Sequence, residues 1–325
     1  MAYQTGDTIL DDHYNGFANT SGANLNKIWG VGDAGHGWGQ GNAISTVSAG
    51  GTVQATQWNT LLDRAKVIAD HEGGTMSTDS GSLAAGDVIV AIDTLTSEIT
   101  TLNNNRYNAA ASKLTAATNP NSVNRTFTGS WRTSTIQEVT VTFASSDAAR
   151  YFFNAGGKVR VVPTRTGGGA DGGGTTGKDT AWTNLYAAVG NLDIGSVSSS
   201  RSGSGETSNT DVLSSTGASD LGTSYTTLLQ LADDTYPYAS NTIKIEAKMD
   251  GSAYGTATAM KVKLTSTDGS ADFTFEGSNL SSVNLQAYRN GQHRHNLTTI
   301  NTTTGGGLAN AFAPSGTATD GGTTT

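Results

Sequence analysis

Apolar residues recur at spacings of three and four through positions 56–71, where Trp58, Leu61, Leu62, Ala65 and Ile68 share one side. That period predicts an amphipathic helix, with Thr56 placed to cap its start and Gly73 just beyond its end. A second helical stretch is predicted over 84–105. Its apolar residues Val88, Ile92, Leu95, Ile99 and Leu102 are spaced four, three, four and three, an a/d seam with Asp93 and Glu98 off it. Two structures use such a seam equally well: a helix packing on its neighbour at 58–68, or a short bundle between subunits. The seam would continue through Arg106 and Ala109, so it weakens there.

Beyond an Asn-rich stretch at 103–124, which holds Asn119-Pro120 and marks a boundary, the period becomes two. Ile136, Val139, Val141 and Phe143 predict a strand over 135–143, and Tyr151, Phe152 and Phe153 a short helix over 147–154 closed by Gly156-Gly157. A strand over 158–164 ending at Pro163, a Gly-rich loop and a helix from Asp179 to Ala188 follow. Residues 196–222 are low-complexity Ser, Gly and Thr and are expected to form a long surface loop. Residues 225–231 predict a strand or short helix. Ile243, Ile245 and Ala247, then Met260, Val262 and Leu264, alternate with polar residues and predict a hairpin around Asp250-Gly251, with Phe273 and Phe275 as candidates for a third strand.

The expected fold class is therefore α+β: an irregular N-terminal arm with a helical hairpin or short helical bundle, followed by a β-rich domain with short helices. The segments are 1–55 as a docking arm, 56–118 helical, 119–195 an α+β module, 196–297 β-rich with the Ser/Gly loop, and 298–325 a Thr/Gly tail that stays disordered unless it pairs with a neighbouring chain. The arm carries Tyr3, Tyr14, Phe17, Trp29 and Trp38 without a sustained period, so its aromatics are expected to dock on another surface.

Composition narrows the function. Of 325 residues 42 are Gly and only 4 Pro, nearly twice the ordinary glycine usage of about 7% yet lacking the proline collagen requires. Hydrophobic residues make up 35%, so burial against other subunits is an expected way to complete each core. A net charge of −8 without a basic cluster opposes nucleic-acid binding. The absence of Cys removes disulfides, thiolate nucleophiles and Cys-based zinc sites. No secretory signal is expected in residues 1–15, and the apolar run 88–92 is far short of the roughly 20 residues that cross a bilayer.

No motif builds an enzyme. Residues 30–35 spell GxGxxG but lack the flanking strand and helix of a dinucleotide site. Residues 172–179, GGGTTGKD, approach a phosphate loop but place Asp179 where a hydroxyl must hold Mg²⁺; a helix N-cap explains that Asp equally well. Asp11-Asp12-His13 and His71-Glu72 are expected as solvated surface. His293 and His295 would face the same way on a strand, and in a trimer three such pairs could surround one transition metal; a plain exposed loop is the competing reading. No catalytic, cofactor or metal residues are assigned.

The residues that carry a resemblance are 3–9 (YQTGDTI), the 29–40 stretch from Trp29-Gly30 to Gly39-Gln40, and 56–62 (TQWNTLL) through His71-Glu72-Gly73. Also among them are 148–157 (AARYFFNAGG) and 180–185 (TAWTNL). Together they resemble virion structural proteins of marine tailed phages, notably those infecting cyanobacteria, over residues 1–72 and 126–195. The resemblance implies a non-enzymatic particle component located in the virion, in a fibre, whisker or tail accessory structure. Its partners would be copies of itself, with a trimer favoured by elongated fibres, and other virion proteins. Alternatives are a capsid or neck decoration or connector protein, and a tail-associated protein that binds or depolymerises host-surface glycans. No cluster of aromatics and acids marks a glycan site. A missing secretion signal argues against a bacterial adhesin.

Overall fold

A computed structural model describes residues 10–20, 22–32, 35–78, 84, 92–116, 122–127, 130–131, 134–166, 177–235, 238–251, 256–269, 289–290, 292–302 and 315–317. The protein is α+β, with a helical N-terminal region followed by a β-rich part. It divides into two compact units that are not contiguous in sequence: Met1–Ala116 with Asp147–Lys158 and Ile300–Ala313, and Ala117–Ser146 with Val159–Thr299 and Pro314–Thr325. The segment 119–195, expected as one module, is thus shared between them.

The first unit contains α1 (Asp11–Asn15), which runs into a π-helical turn at Gly16–Thr20, then α2 (Leu25–Trp29), α3 (Ala55–Glu72) and α4 (Ile92–Asn105). Strand β1 (Leu114–Ala116), paired with residues 300–302, and most of α5 (Ser146–Asn154) complete it. Helix α3 follows the predicted period. At its start the Gln57 side chain accepts the Gln54 N–H at 2.9 Å, so Thr56 lies inside the helix instead of capping it. It ends at Gly73, whose φ of 79° is the left-handed cap that glycine reaches without a Cβ clash.

The described aromatics of the arm pack within the same unit, and Tyr3 lies outside the described residues. Tyr14, Phe17, Trp29 and Trp38 are buried in one core with Trp58, Leu61 and Ile68 of α3. Two buried asparagines hold the irregular backbone in place by acting as peptide groups. Asn15 donates to the Val47 carbonyl and accepts its N–H, both at 2.8 Å, and Asn26 does the same with Ile44. The GxGxxG glycines serve a backbone crossing. Gly39 N–H reaches the Gly30 carbonyl at 2.7 Å and Trp38 N–H that of Ile28 at 2.9 Å, and a Cβ on Gly37 would collide with the Gly30 carbonyl.

Three of the five residues of the predicted seam are buried inside the protomer. Leu95, Ile99 and Leu102 are 0%, 1% and 5% exposed in the same core as α3. Side chains already removed from water have no area left to bury against a second copy, so these three are core residues and not an oligomer seam. Ile92 opens α4, but its side chain, like all of Val88, lies outside the described residues. Among the described residues the helix runs from Ile92, and the predicted stretch 85–91 lies outside them.

The second unit holds β2 (Ser122–Phe127), β3 (Ser130–Trp131), β4 (Ser134–Thr142), β5 (Lys158–Thr166, all but its first residue), α6 (Gly177–Val189), β6 (Leu192–Ile194), β7 (Ser199–Arg201) and β8 (Thr207–Asp211). It continues with β9 (Thr226–Ala232), β10 (Thr242–Met249), β11 (Ala259–Thr267), β12 (Arg289–Asn290), β13 (Gln292–Thr302, to residue 299) and β14 (Ser315–Thr317). One six-stranded sheet has the order β14-β4-β11-β10-β9-β8; in the other, β2 pairs with β13, followed by β5, β6 and β7. The β10–β11 hairpin pairs antiparallel from Thr242↔Thr267 to Met249↔Met260. Ile243, Ile245, Ala247 and Met249 share the inner face with Val139 and Val141 of β4 and Met260, Val262 and Leu264 of β11. Strict alternation turns Ile136 outward and Thr135 and Gln137 inward. On α6, Trp182, Leu185, Tyr186 and Val189 are buried, and the Tyr186 hydroxyl lies 2.7 Å from Ser266 Oγ of β11.

Three expectations change here. Residues 196–222 are no featureless loop, because they supply β7, β8 and two 3₁₀ turns and bury Leu213, Ala218 and Leu221. Pro163 does not end β5. Strand β6 pairs only as far as Val161, so the missing Pro163 N–H costs that ladder nothing. In the tail, Ser315–Thr317 pair with Thr140–Thr142 of the same chain. Phe273 and Phe275 lie outside the described residues.

Candidate functional site

In the first unit, sequence-distant stretches meet around Trp38, which is fully buried. Its indole N–H is shared between the carbonyls of Arg106 and Asn154, both at 2.9 Å. The Asn154 side chain donates back to the carbonyls of Gly35 and Gly37, the latter at 3.0 Å. His71 completes the junction. Its ring centroid is 4.7 Å from that of Trp38 and its Nε2 is 2.8 Å from the Ala155 carbonyl. A carbonyl can only accept, so Nε2 carries the proton and Nδ1, buried without a partner, is bare.

His71 and Glu72 are therefore not solvated surface. His71 is 1% exposed, and both Glu72 carboxylate oxygens are shielded without a hydrogen-bond partner. Burial lowers the His71 pKa and pushes the Glu72 carboxyl up to about 9, against the opposing pull of Arg106. Near neutrality both groups are uncharged, which suits packing and not acid–base exchange with a substrate. The signs oppose each other. A raised carboxyl pKa stabilises the fold fully below about pH 4.5 and loses that contribution as pH climbs to about 9. A lowered His pKa stabilises above about 6.5 and loses that contribution in acid. Urea melts of the whole protein should therefore show the first unit losing on the order of 2 kcal/mol between pH 7 and 9. Glu72→Gln should abolish that loss. Equal losses in the two proteins would mean that the carboxyl is not held protonated.

Nearby, Asn19, Lys27, Gln40 and Asn42 line a cleft of about 590 Å³. The Asn24 and Asn26 amides at its wall are already committed to backbone, at Lys27 and Ile44 respectively. The cleft is thus bordered by groups that hold the arm.

The second unit carries two polar constellations that the sequence did not reveal. On the outer face of the sheet built around β4, β11 and β10, Glu138 faces Lys261 at 3.3 Å and Glu246 faces Lys263 at 2.8 Å. The Tyr225 hydroxyl donates to Glu138, and the Lys263 and Lys248 ammonium groups lie 4.1 and 4.6 Å from its ring centroid. Partial burial would raise the Glu138 pKa, but the Tyr225 and Lys261 hydrogen bonds hold it below the ordinary carboxylate value. At one end of the same sheet, Glu206, Asp233 and Asp234 bring carboxylate oxygens within 4.8 Å of one another. Among the described residues this is the only group of three or more His, Asp or Glu close enough to share an ion.

The other sequence candidates disperse. His293 and His295 lie on β13, opposite Phe127 and Arg125 of β2, and their side chains are outside the described residues. Asp179 falls inside α6, whose start at Gly177 precludes the N-cap role, and 172–176 are outside the described residues. Asp11, Asp12 and His13 open the short α1. Scans against protein-family models, curated proteins and solved structures matched none.

Proposed function

We propose that this chain is a non-enzymatic structural component of a tailed-phage particle, assembled as a homo-oligomer in a fibre or other tail appendage. The observation that supports this most is the junction at Trp38. The stretches 29–40, 56–73 and 148–157, which resemble phage virion proteins, meet there through Trp38, His71 and Asn154. Their distinctive residues are engaged in holding an irregular arm onto helices, a task of shape and not of bond-making. Low charge and abundant small residues suit a protein that works by packing into an assembly. Since Leu95, Ile99 and Leu102 are buried within the protomer, copies would meet through other surfaces.

Purified particles of the source phage, probed with gold-labelled antibody against this chain, test the proposal. Label on tail appendages is expected. Label over the head would replace the appendage with a capsid decoration, and absence of the chain from purified particles by mass spectrometry would reject a structural role.

A further inference from the structure

The connection leaving β9 and the residue preceding β8 lie side by side, because Thr207 pairs with Ala232. That register brings Glu206 beside Asp233 and Asp234. Asp233 is the informative member: it is 2% exposed, its Oδ1 accepts the Thr235 N–H at 2.7 Å, and its Oδ2 is buried with no hydrogen-bond partner among the described residues. Glu206 accepts the Asp234 N–H at 2.8 Å through Oε2, which leaves Oε1 available. A buried carboxylate oxygen without a donor is costly, and two further carboxylates beside it add repulsion. No Lys or Arg among the described residues forms an ion pair with any of the three. A bound cation would satisfy the orphan oxygen and cancel the repulsion together.

The geometry points to a divalent-cation site that takes Ca²⁺, with Glu206, Asp233 and Asp234 as its carboxylate ligands. An all-oxygen set without His or Cys disfavours Zn²⁺. Ligands on opposite sides of Ca²⁺ are separated by about 4.6–5.2 Å, twice its 2.3–2.6 Å bond. Donors within 4.8 Å of one another fit that shell. Mg²⁺ demands a strict octahedron and gives up its water reluctantly, so a cluster of three carboxylates suits Ca²⁺ better. The site is also held in advance of binding. The Asp233 N–H bonds the Asn241 carbonyl at 3.0 Å, and Tyr238 N–H bonds that of Thr235 at 2.7 Å, which ties Asp233 to the start of β10.

The test is calorimetric titration of the full chain, stripped with EDTA and desalted, with CaCl₂ at constant ionic strength, alongside thermal melts in CaCl₂, MgCl₂ and matched NaCl. One Ca²⁺ should bind per chain, with Mg²⁺ at least about tenfold weaker. At a Ca²⁺ concentration about 100-fold above Kd, the melting temperature should rise by roughly 5 °C. Glu206→Gln and Asp234→Asn, both outside the buried core, should each weaken Ca²⁺ at least about tenfold. Asp233→Asn should abolish binding while melting at or above the wild type in EDTA, because it removes a repelling charge. If Asp233→Asn fails to fold, the other two variants decide the outcome. The site is overturned if the wild type gives no saturable Ca²⁺ heat up to about 10 mM, or if Glu206→Gln and Asp234→Asn both keep wild-type affinity.

Discussion

Ile99→Asp is expected to unfold the N-terminal unit instead of separating subunits. Ile99 is 1% exposed in the core that α3 and α4 share with the aromatic arm. Loss of its packing alone costs about 2–5 kcal/mol. The incoming carboxylate would be stranded without a partner, which adds to that cost or forces the side chain to take up a proton. Circular dichroism melts and light scattering on the same samples distinguish the outcomes. The expected result is a large fall in melting temperature, with any loss of oligomer mass following unfolding. A variant with an unchanged melting temperature and a reduced mass would instead place Ile99 against a neighbouring copy.

Trp38→Ala should be comparably damaging, at about 3–5 kcal/mol for a buried Trp. This side chain is fully buried in the core of the first unit, and its N–H serves two carbonyls, those of Arg106 and Asn154. Trp38→Phe separates the contributions: it keeps an aromatic ring and removes the donor, so it should cost about 1–3 kcal/mol, a smaller loss than that of Ala but still clearly destabilising. Urea melts of the three proteins would show this ordering. A Phe variant as stable as the wild type would mean that the shared indole hydrogen bond contributes nothing. Both substitutions should act on the segments 10–54 and 147–158 together, since the junction links them within one unit. Hydrogen exchange reads this directly as simultaneous loss of protection in both.

Where one repeating pattern spanned an element, the sequence was legible. The helix at Ala55–Glu72 and the hairpin Thr242–Met249 with Ala259–Thr267 follow from side-chain periods of 3.6 and 2, because one face of each meets a core. The arm was illegible for the opposite reason. Its order comes from Asn15 and Asn26 bonding to the backbone of residues 44–47, and an Asn in a Gly-rich stretch looks the same whether it pairs with a peptide or with water. Residues 199–211 escaped similarly, since Ser and Thr strands are held by ladder hydrogen bonds and leave no hydrophobic alternation.

The candidate site divides along the same line. Adjacent His71 and Glu72 could be noticed in the chain, but His71 is packed by Trp38 and Ala155, more than thirty and eighty positions away. Glu206 and Asp233 carry no shared motif and become neighbours only through the register of Thr207 with Ala232. By itself, then, the order of residues determined the α+β class, the long helix, the main hairpin and the absence of any thiol chemistry. Only the tertiary structure decided that Leu95, Ile99 and Leu102 face their own core, that Tyr14, Phe17, Trp29 and Trp38 are internal and that three carboxylates converge. Periodicity records which side of an element is apolar; which partner covers that side, and which distant charges are brought together, depends on packing in three dimensions.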